Sequence, residues 1–248
     1  MKPTVVFVRV VTKPEYQHGE NRLLESYWHW KPAIDHDLVI IDRGADSPDD
    51  VANAKHLRYD GGGWDCGAWQ FAGRNIDTDL LVCFNSSCYI TGSQWLERFV
   101  EAVEKHSDGL YGPLTSNEVA PHVRTPCIIF QPHVINAYPR KVETREDTYR
   151  FESCGWPDGT PNFTQYTAQL GYETMLVTWY GEYDQAHWRD PANIFRRGNQ
   201  QSLIVRDRHC DVYEASDEAG KGRLEELAGR GDVAKQEAFE KSLPRWEK

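Results

Sequence analysis

Short apolar runs alternate with helix-type periodic segments along the first two thirds of the chain. Segments 5–11, 37–42 and 79–85 have continuously apolar centres, as buried parallel strands do. Segments 20–30 and 95–103 instead carry apolar residues at three- and four-residue spacing, which is typical of helices that cover a sheet. This alternation predicts an α/β fold: a single domain with a mostly parallel central sheet flanked by helices.

Weaker patterns predict the remaining elements. Further strands are expected at 56–59, 109–111, 126–130 and 174–179, and further helices at 65–74 and 162–170. Ser47 begins a segment typical of a short helix, and Ser93 is the expected cap of the helix over 95–103. From residue 216 the chain is charged and poor in apolar residues. We therefore expect a helical or mobile surface tail over 216–248, beside a domain over 1–215.

Composition narrows the classes of function. The 248 residues suit one large domain, and the net charge of −10 gives no general attraction to nucleic acid or to an anionic membrane. A local basic patch that can meet a phosphate is formed by Arg196, Arg197, Arg206 and Arg208. The N-terminal apolar run is too short for a signal peptide, and no stretch of about 20 apolar residues occurs, so a cytoplasmic protein without a transmembrane segment is expected. The six cysteines contain no CxxC pair, which favours buried free thiols over disulfides or a zinc site.

Polar residues follow each of the first four predicted strands. Ligands of open parallel sheets bind beyond the carboxyl ends of the strands, where these residues would meet. They are Arg9 and Thr12 after the first strand, Asp42 after the second, Asp65 and the glycines before it after the third, and Asn85, Ser86 and Ser87 after the fourth. The carboxylate of Asp42 suits a ribose or base edge, and it equally suits a solvated turn. The glycine run is neither a GxGxxG fingerprint nor a P-loop.

The order of these pieces resembles a known family. The residues that carry the resemblance are the Asp42 turn, the run Gly61-Gly62-Gly63-Trp64-Asp65-Cys66-Gly67-Ala68, the strand and turn Leu80-Leu81-Val82-Cys83-Phe84-Asn85-Ser86-Ser87, the helix with Trp95-Leu96, and Asp207-Arg208-His209. Together they resemble glycosyltransferases with the GT-A fold, a Rossmann-like domain, and are most similar to the rhamnan-synthesis type.

The resemblance implies an activity and a donor site. The chain would move a sugar from a nucleotide-diphosphate sugar to a hydroxyl of a glycan or polysaccharide acceptor. The donor would be bound by Arg9, Thr12, Asp42, Asp65, Asn85, Ser86 and Ser87. In that fold the turn after the fourth strand usually carries Asp-x-Asp and a divalent cation, whereas here it is Asn85-Ser86-Ser87. Either Mn²⁺ or Mg²⁺ is held weakly with help from Asp207 and His209, or arginines offset the diphosphate charge without a metal.

Two acidic residues are candidates for the catalytic base. Glu152 resembles the base of inverting members of the family, and Phe151, Cys154 and Trp156 around it would desolvate its carboxylate. Asp158 is the fallback. Candidates to stack on sugar rings, each also suited to a structural role, are Trp64, Trp156, Trp179 and Trp188.

Two other functions fit parts of the pattern. A sugar nucleotidyltransferase uses a related sheet, but the residues after the first strand lack the glycine-rich, lysine-bearing loop of that class. A catalytically inactive relative that binds nucleotide sugars or carbohydrates is favoured by the missing acidic residues of the 85–87 turn.

Overall fold

The computed structural model describes residues 1–10, 14–44, 51, 53–189, 193, 195–198, 200 and 203–230. The strands are β1 (Pro3–Val10), β2 (Asp37–Arg43), β3 (Lys55–Arg58), β4 (Leu80–Phe84), β5 (Cys88–Ile90), β6 (Gly109–Gly112), β7 (Thr115–Ser116), β8 (His122–Val123), β9 (Cys127–Phe130), β10 (Glu173–Val177), β11 (Glu182–Tyr183) and β12 (Val205–Asp207). The α-helices are α1 (Pro14–His29), α2 (Trp64–Asn75), α3 (Trp95–His106), α4 (Pro132–Asn136), α5 (Arg145–Tyr149), α6 (Phe163–Gln169), α7 (Arg208–Ala215) and α8 (Glu218–Arg230). A π-helix covers Arg150–Cys154 and a 3₁₀-helix covers Gln185–His187.

An eight-stranded sheet forms the centre of the described chain, in the order β11-β10-β6-β9-β4-β1-β2-β3. Strands β1, β2, β3, β4, β6 and β10 run in one direction. Strands β9 and β11 run the other way. The prediction of an α/β fold with a mostly parallel sheet is confirmed, with antiparallel strands added.

Helices cover both faces of this sheet because successive strand residues point to opposite sides. Val5 and Phe7 of β1 belong to one buried cluster with residues of α1 and α3. Val6 and Val8 belong to a second cluster, with residues of α2, α4 and α6. A strand that is buried on both faces has to be apolar throughout, which is why β1 and β4 were readable in the sequence.

Some predicted boundaries differ from the structure. Ser93 does not cap α3: the N-cap position is Gln94, in the left-handed region with φ of 61°, and no side chain caps the helix there. The start of α3 is instead fixed by Trp95, whose indole Nε1 donates to the carbonyl of Trp30 at 3.0 Å. Helix α1 begins at Pro14, six residues before the predicted start at 20. The predicted short helix at 47–50 lies outside the described residues.

Residues 218–230 of the predicted tail form α8. Leu224 and Leu227 are buried, and the carbonyl of Ala228 accepts a hydrogen bond from the backbone N–H of Asn117 at 2.9 Å. None of the helices in the described ranges combines the length and apolarity needed to cross a bilayer. All six cysteines are free; five are buried and Cys154 is exposed.

Candidate active site

The strand order creates a switch point between β1 and β4. From β1 the chain passes through β2 to β3 on one side, and then returns to β4 on the other side of β1. All four strands are parallel neighbours, so their carboxyl ends meet at one edge of the sheet. Ligands of open α/β sheets bind at such a point. The candidate site is therefore at this edge of the sheet.

Arg9 and Asp42 lie side by side where β1 and β2 end. Their Cα atoms are partners in the parallel pairing, and Arg9 Nε donates to Asp42 Oδ1 at 2.8 Å. The second oxygen of Asp42 accepts from His56 Nδ1 at 2.7 Å, while His56 Nε2 accepts from the backbone N–H of Val51. Asp42 is thus buried and engaged with two neighbours, and it orients Arg9. Thr12 lies outside the described residues.

Asp65 lies in the first turn of α2. The turn before it needs glycine, because Gly63 has φ of 76° and a Cβ there would lie 1.9 Å from the carbonyl oxygen of Val142. Burial raises the pKa of Asp65 to about 7, Arg43 opposes that rise and Glu20 adds to it. Asp65 therefore takes up a proton more readily than an exposed aspartate does. It accepts no hydrogen bond from any residue that the structure describes.

The Asn85–Ser87 turn is ordered by its own side chains. Asn85 Oδ1 accepts from both the backbone N–H and the hydroxyl of Ser87, each at 2.9 Å. The backbone N–H of Asn85 donates to the carbonyl of Pro126 at 3.1 Å. Ser86 is buried under α1, where a Cβ on Gly19 would lie 2.4 Å from the Ser86 carbonyl oxygen. The turn therefore packs between α1 and the segment that precedes β9.

The Asp207-Arg208-His209 segment lies beside this turn. Strand β12 pairs with β5 antiparallel, with Asp207 opposite Cys88. Burial raises the pKa of the Cys88 thiol, and the charges of Asp207 and Asp65 raise it further, so both carboxylates lie near Cys88. The structure thus brings together Asp65, the 85–87 turn and Asp207, which lie far apart in the sequence.

Asp207 and His209 are held by neighbours within the chain. Asp207 Oδ1 accepts from the backbone N–H groups of His209 and Cys210, each at 3.0 Å, and so caps α7. Burial acts to raise the pKa of Asp207, but His209, Arg124 and the hydrogen bond from Cys210 lower it to about 2. Burial lowers the pKa of His209 well below 6.5, and its Nδ1 accepts from Arg196 Nη2 at 3.1 Å. The permanent cation that contacts Asp207 is therefore Arg124.

The buried guanidinium of Arg124, which was not among the predicted site residues, also lies on this side of the site. Arg124 Nη2 donates to Asp207 Oδ2 at 3.3 Å, and Arg196 Nη1 lies 2.8 Å from Glu118 Oε1. Arg206 of the predicted basic patch is paired with Glu214. Two arginines of that patch, Arg196 and Arg206, are thus offset by carboxylates of the chain. Arg124 precedes an antiparallel strand, so it reaches the carboxyl edge from the start of that strand, which the residue pattern does not reveal.

Glu152 is fixed by Thr125. Its Oε1 accepts from the backbone N–H of Thr125 at 3.1 Å and from the hydroxyl at 2.9 Å. Burial raises the pKa of the Cys66 thiol, and the charges of Glu152 and Asp65 add to this rise. Glu152 lies within a π-helix, a feature that is common at functional sites. His122 donates from Nδ1 to the carbonyl of Ala120, and burial lowers its pKa, so it is a neutral neighbour of this group.

Other candidates lie apart from these contacts. Asp158 is exposed, forms an ion pair with Arg140 and accepts from the backbone N–H of Thr160 at 3.1 Å. Those contacts serve a surface turn and do not join it to the 85–87 turn. Trp188 is 1% exposed and its Nε1 donates to the carbonyl of Tyr183, so it is a core residue. Trp64 is only partly buried and lies at the edge, 5.7 Å from the guanidinium carbon of Arg43.

The donor atoms at the turn do not fit a divalent cation. Such a cation needs several oxygen ligands, preferably carboxylates. Asn85 Oδ1 already accepts twice, both oxygens of Asp207 are engaged, and His209 Nδ1 faces a guanidinium. Within the described ranges, no group of three or more His, Cys, Asp or Glu side chains is arranged to hold a metal ion.

A groove of about 630 Å³ lies at the opposite edge of the sheet. It is lined by residues at the amino ends of β1 and β4 and on α3. Acidic residues such as Asp35, Asp79 and Glu104 outnumber Lys2 and the N-terminal amine among them. An anionic ligand would be repelled there, so the carboxyl edge is the better candidate.

Comparisons with known proteins give a fold-level likeness at low identity. No protein-family model matches the sequence, and no curated protein matches it. TarS of S. aureus is similar over 60% of this chain and 32% of its own, with 15% identity and a TM-score of 0.42. TarS 1–349 is similar over 98% of this chain and 74% of its own, with 14% identity and a TM-score of 0.47. HddC of Yersinia pseudotuberculosis is similar over 58% of this chain and 83% of its own, with 12% identity and a TM-score of 0.41.

Proposed function

We propose that this protein is a glycosyltransferase of the GT-A type, which moves a sugar from a nucleotide-diphosphate donor to an acceptor hydroxyl. The observation that carries the proposal is the pairing of β5 with β12, which sets Asp207 opposite Cys88 beside the 85–87 turn. Three distant segments, 85–88, 124–125 with Glu152, and 207–209, thereby converge at the switch point of the sheet. Sugar transfer needs such a meeting of groups, because one part must hold the leaving diphosphate and another must take a proton.

The 85–87 turn is the proposed diphosphate end of the site. Ser86 supplies a hydroxyl and a backbone N–H group next to the carboxyl end of β4, while the N–H and the hydroxyl of Ser87 donate to Asn85 and hold the turn in shape. The nucleoside would extend towards the ends of β1 and β2, where Asp42 fixes the guanidinium of Arg9. Asp65 lies in the first turn of α2, and its raised pKa reduces the repulsion that a carboxylate would exert on a diphosphate.

Glu152 is the proposed general base. Thr125 occupies Oε1 with two hydrogen bonds, which leaves Oε2 to accept the proton of the attacking hydroxyl. A positioned carboxylate of this kind contributes about 10²–10⁴-fold to the rate of a proton-transfer step. Asp158 is kept as the second candidate, although its contacts with Arg140 and Thr160 give it no link to Thr125.

A second function has one observation in its favour. The 85–87 turn carries no acidic side chain, so a protein that binds nucleotide sugars without transferring them fits the same donor end. The two functions differ at Glu152, which only a transferase needs as a base.

Calorimetry with uridine, guanosine and thymidine diphosphates tests the proposal. A transferase binds at least one of them and turns over the matching nucleotide sugar. Binding without any hydrolysis or transfer of the donor would support the inactive binding protein. If none of the diphosphates binds, with or without manganese, both functions fall.

A further inference from the structure

The guanidinium of Arg124 is fixed in place beside the 85–87 turn. Its backbone N–H donates to the carbonyl of Leu114 at 2.9 Å, and its guanidinium carbon lies 4.2 Å from the centre of the Phe195 ring. The next residue but one, Pro126, accepts hydrogen bonds from Asn85 and Cys88. The side chain of Arg124 is only 8% exposed. It is therefore a buried cation held next to the proposed diphosphate end.

Three carboxylates of the chain, Asp207, Glu152 and Glu118, act on the charge of Arg124, but its guanidinium is not fully hydrogen-bonded. Glu118 lies 3.9 Å from Arg124, but it is bound by Arg196 at 2.8 Å. Asp207 accepts from Arg124 at 3.3 Å, but it is also stabilised by two backbone N–H groups at the start of α7. Nε of Arg124 is buried and has no hydrogen-bond partner among the described residues. An unpaired buried donor destabilises the fold, and a bound anion would supply the missing partner.

We propose that Arg124 takes the place of a divalent cation in this site, so that the nucleoside diphosphate binds without Mn²⁺ or Mg²⁺. The inference rests on the proposed function. A guanidinium suits the role because it binds phosphate oxygens through two parallel hydrogen bonds and stays charged at every working pH. The side chains at the positions of cation ligands are already engaged: Asn85 binds Ser87, Asp207 binds Arg124, and His209 binds Arg196.

The first experiment uses the unaltered protein. Calorimetry with the diphosphate that binds is run in EDTA and then in manganese chloride, and the two dissociation constants are expected to agree within about twofold. Tightening by more than about tenfold in manganese would overturn the inference and leave the proposed function standing. Paramagnetic resonance of Mn²⁺ mixed with the protein alone should show the signal of the free ion, and a loss of that signal would also overturn it.

The second experiment separates Arg124 from other buried arginines. Arg124→Lys keeps the positive charge but cannot form the two parallel hydrogen bonds of a guanidinium. We therefore expect diphosphate affinity to fall by about 10- to 100-fold. Arg98→Lys is the matched control, since Arg98 is a similarly buried arginine paired with Glu182 between α3 and β11, and its affinity should equal that of the unaltered protein. Melting temperatures report folding of both variants. If Arg124→Lys is folded and binds as tightly as the unaltered protein, the inference fails; if it does not fold, the manganese comparison decides.

Discussion

At the scale of single residues, the site depends on how one carboxylate is held. Glu152 has one oxygen engaged by Thr125 and one free of that contact, which is the arrangement a general base needs. Sequence reasoning selected Glu152 from a resemblance, whereas Thr125 gave no signal. Its contact with Glu152 spans 27 residues, and it forms only because β9 starts at the carboxyl edge.

Replacing Glu152 by Gln tests this role. The amide keeps the shape of the side chain and cannot take a proton, so turnover should fall by about 10²–10⁴-fold while donor affinity stays within about twofold. Steady-state kinetics and calorimetry measure the two quantities. Glu143→Gln, an exposed change, is the control. A parallel loss of affinity and turnover would assign Glu152 a structural role.

Glu182 gives a stability prediction with a pH dependence. It is bound by Arg98, Lys105 and His106, and although burial acts to raise its pKa, these partners lower it from 4.5 to about 2. A lowered carboxylate pKa stabilises the fold above about 4.5, and that contribution is lost as the pH falls towards 2.

Glu182→Gln should therefore lower the unfolding free energy by about 1–3 kcal/mol at pH 7, and the difference should shrink between pH 4.5 and 2. Urea denaturation across this pH range measures it. Glu101→Gln, on the exposed side of α3, should show no such trend. A difference for Glu182→Gln that stays constant down to pH 2 would contradict the assignment.

At the scale of elements, the glycine run before α2 is a feature whose structural role could not be predicted from the sequence. It offered no known phosphate-binding fingerprint, yet Gly62, Gly63 and Gly67 each lie within 2.1 Å of a backbone oxygen when a Cβ is added. The run is needed so that the start of α2, with Asp65, can pack against the Val142–Glu143 backbone. A close approach between distant segments requires glycines, but the glycines do not reveal which segment packs against them.

Two glycines with similar backbone angles separate strain from close packing. Gly63 has φ of 76° and a Cβ there would clash with Val142, whereas Gly171 has φ of 82° and no atom within 4 Å of an added Cβ. Gly171→Ala should cost about 1–2 kcal/mol for the left-handed conformation alone. Gly63→Ala should cost clearly more, because backbone must also shift. Equal unfolding free energies for the two variants in urea would show that the packing is looser than described.

At the scale of the whole molecule, the strands of the central sheet could be predicted from the sequence. The convergence of distant segments at the carboxyl edge of that sheet could not. Continuous apolar runs marked β1, β2 and β4, since strands buried on both faces must be apolar. The direction of β9 depends on contacts with β4 and β6, such as Leu81 with Phe130, and the pairing of β5 with β12 depends on residues more than a hundred positions apart, such as Asp207 with Cys88. Those contacts decide that Arg124 joins the site.

Helix α8 packs against the rest of the described chain through buried leucines. Leu224→Ala should destabilise the protein by about 2–5 kcal/mol, because the residue is 2% exposed and its truncation leaves a cavity. Arg223→Ala, one position earlier and exposed, is the control and should lie within about 0.5 kcal/mol of the unaltered protein. If thermal unfolding shows no loss for Leu224→Ala, α8 does not stay docked and residues from 216 act as a surface tail.

The proposed function requires that the carboxyl ends of β1, β2 and β4 form one binding site for a nucleoside diphosphate. A crystal structure with the tightest-binding diphosphate is the decisive measurement. We expect the phosphates between the Asn85–Ser87 turn and Arg124, with the nucleoside towards Arg9 and Asp42. A diphosphate bound at the amino edge near Lys2, or anywhere away from that turn, would contradict it.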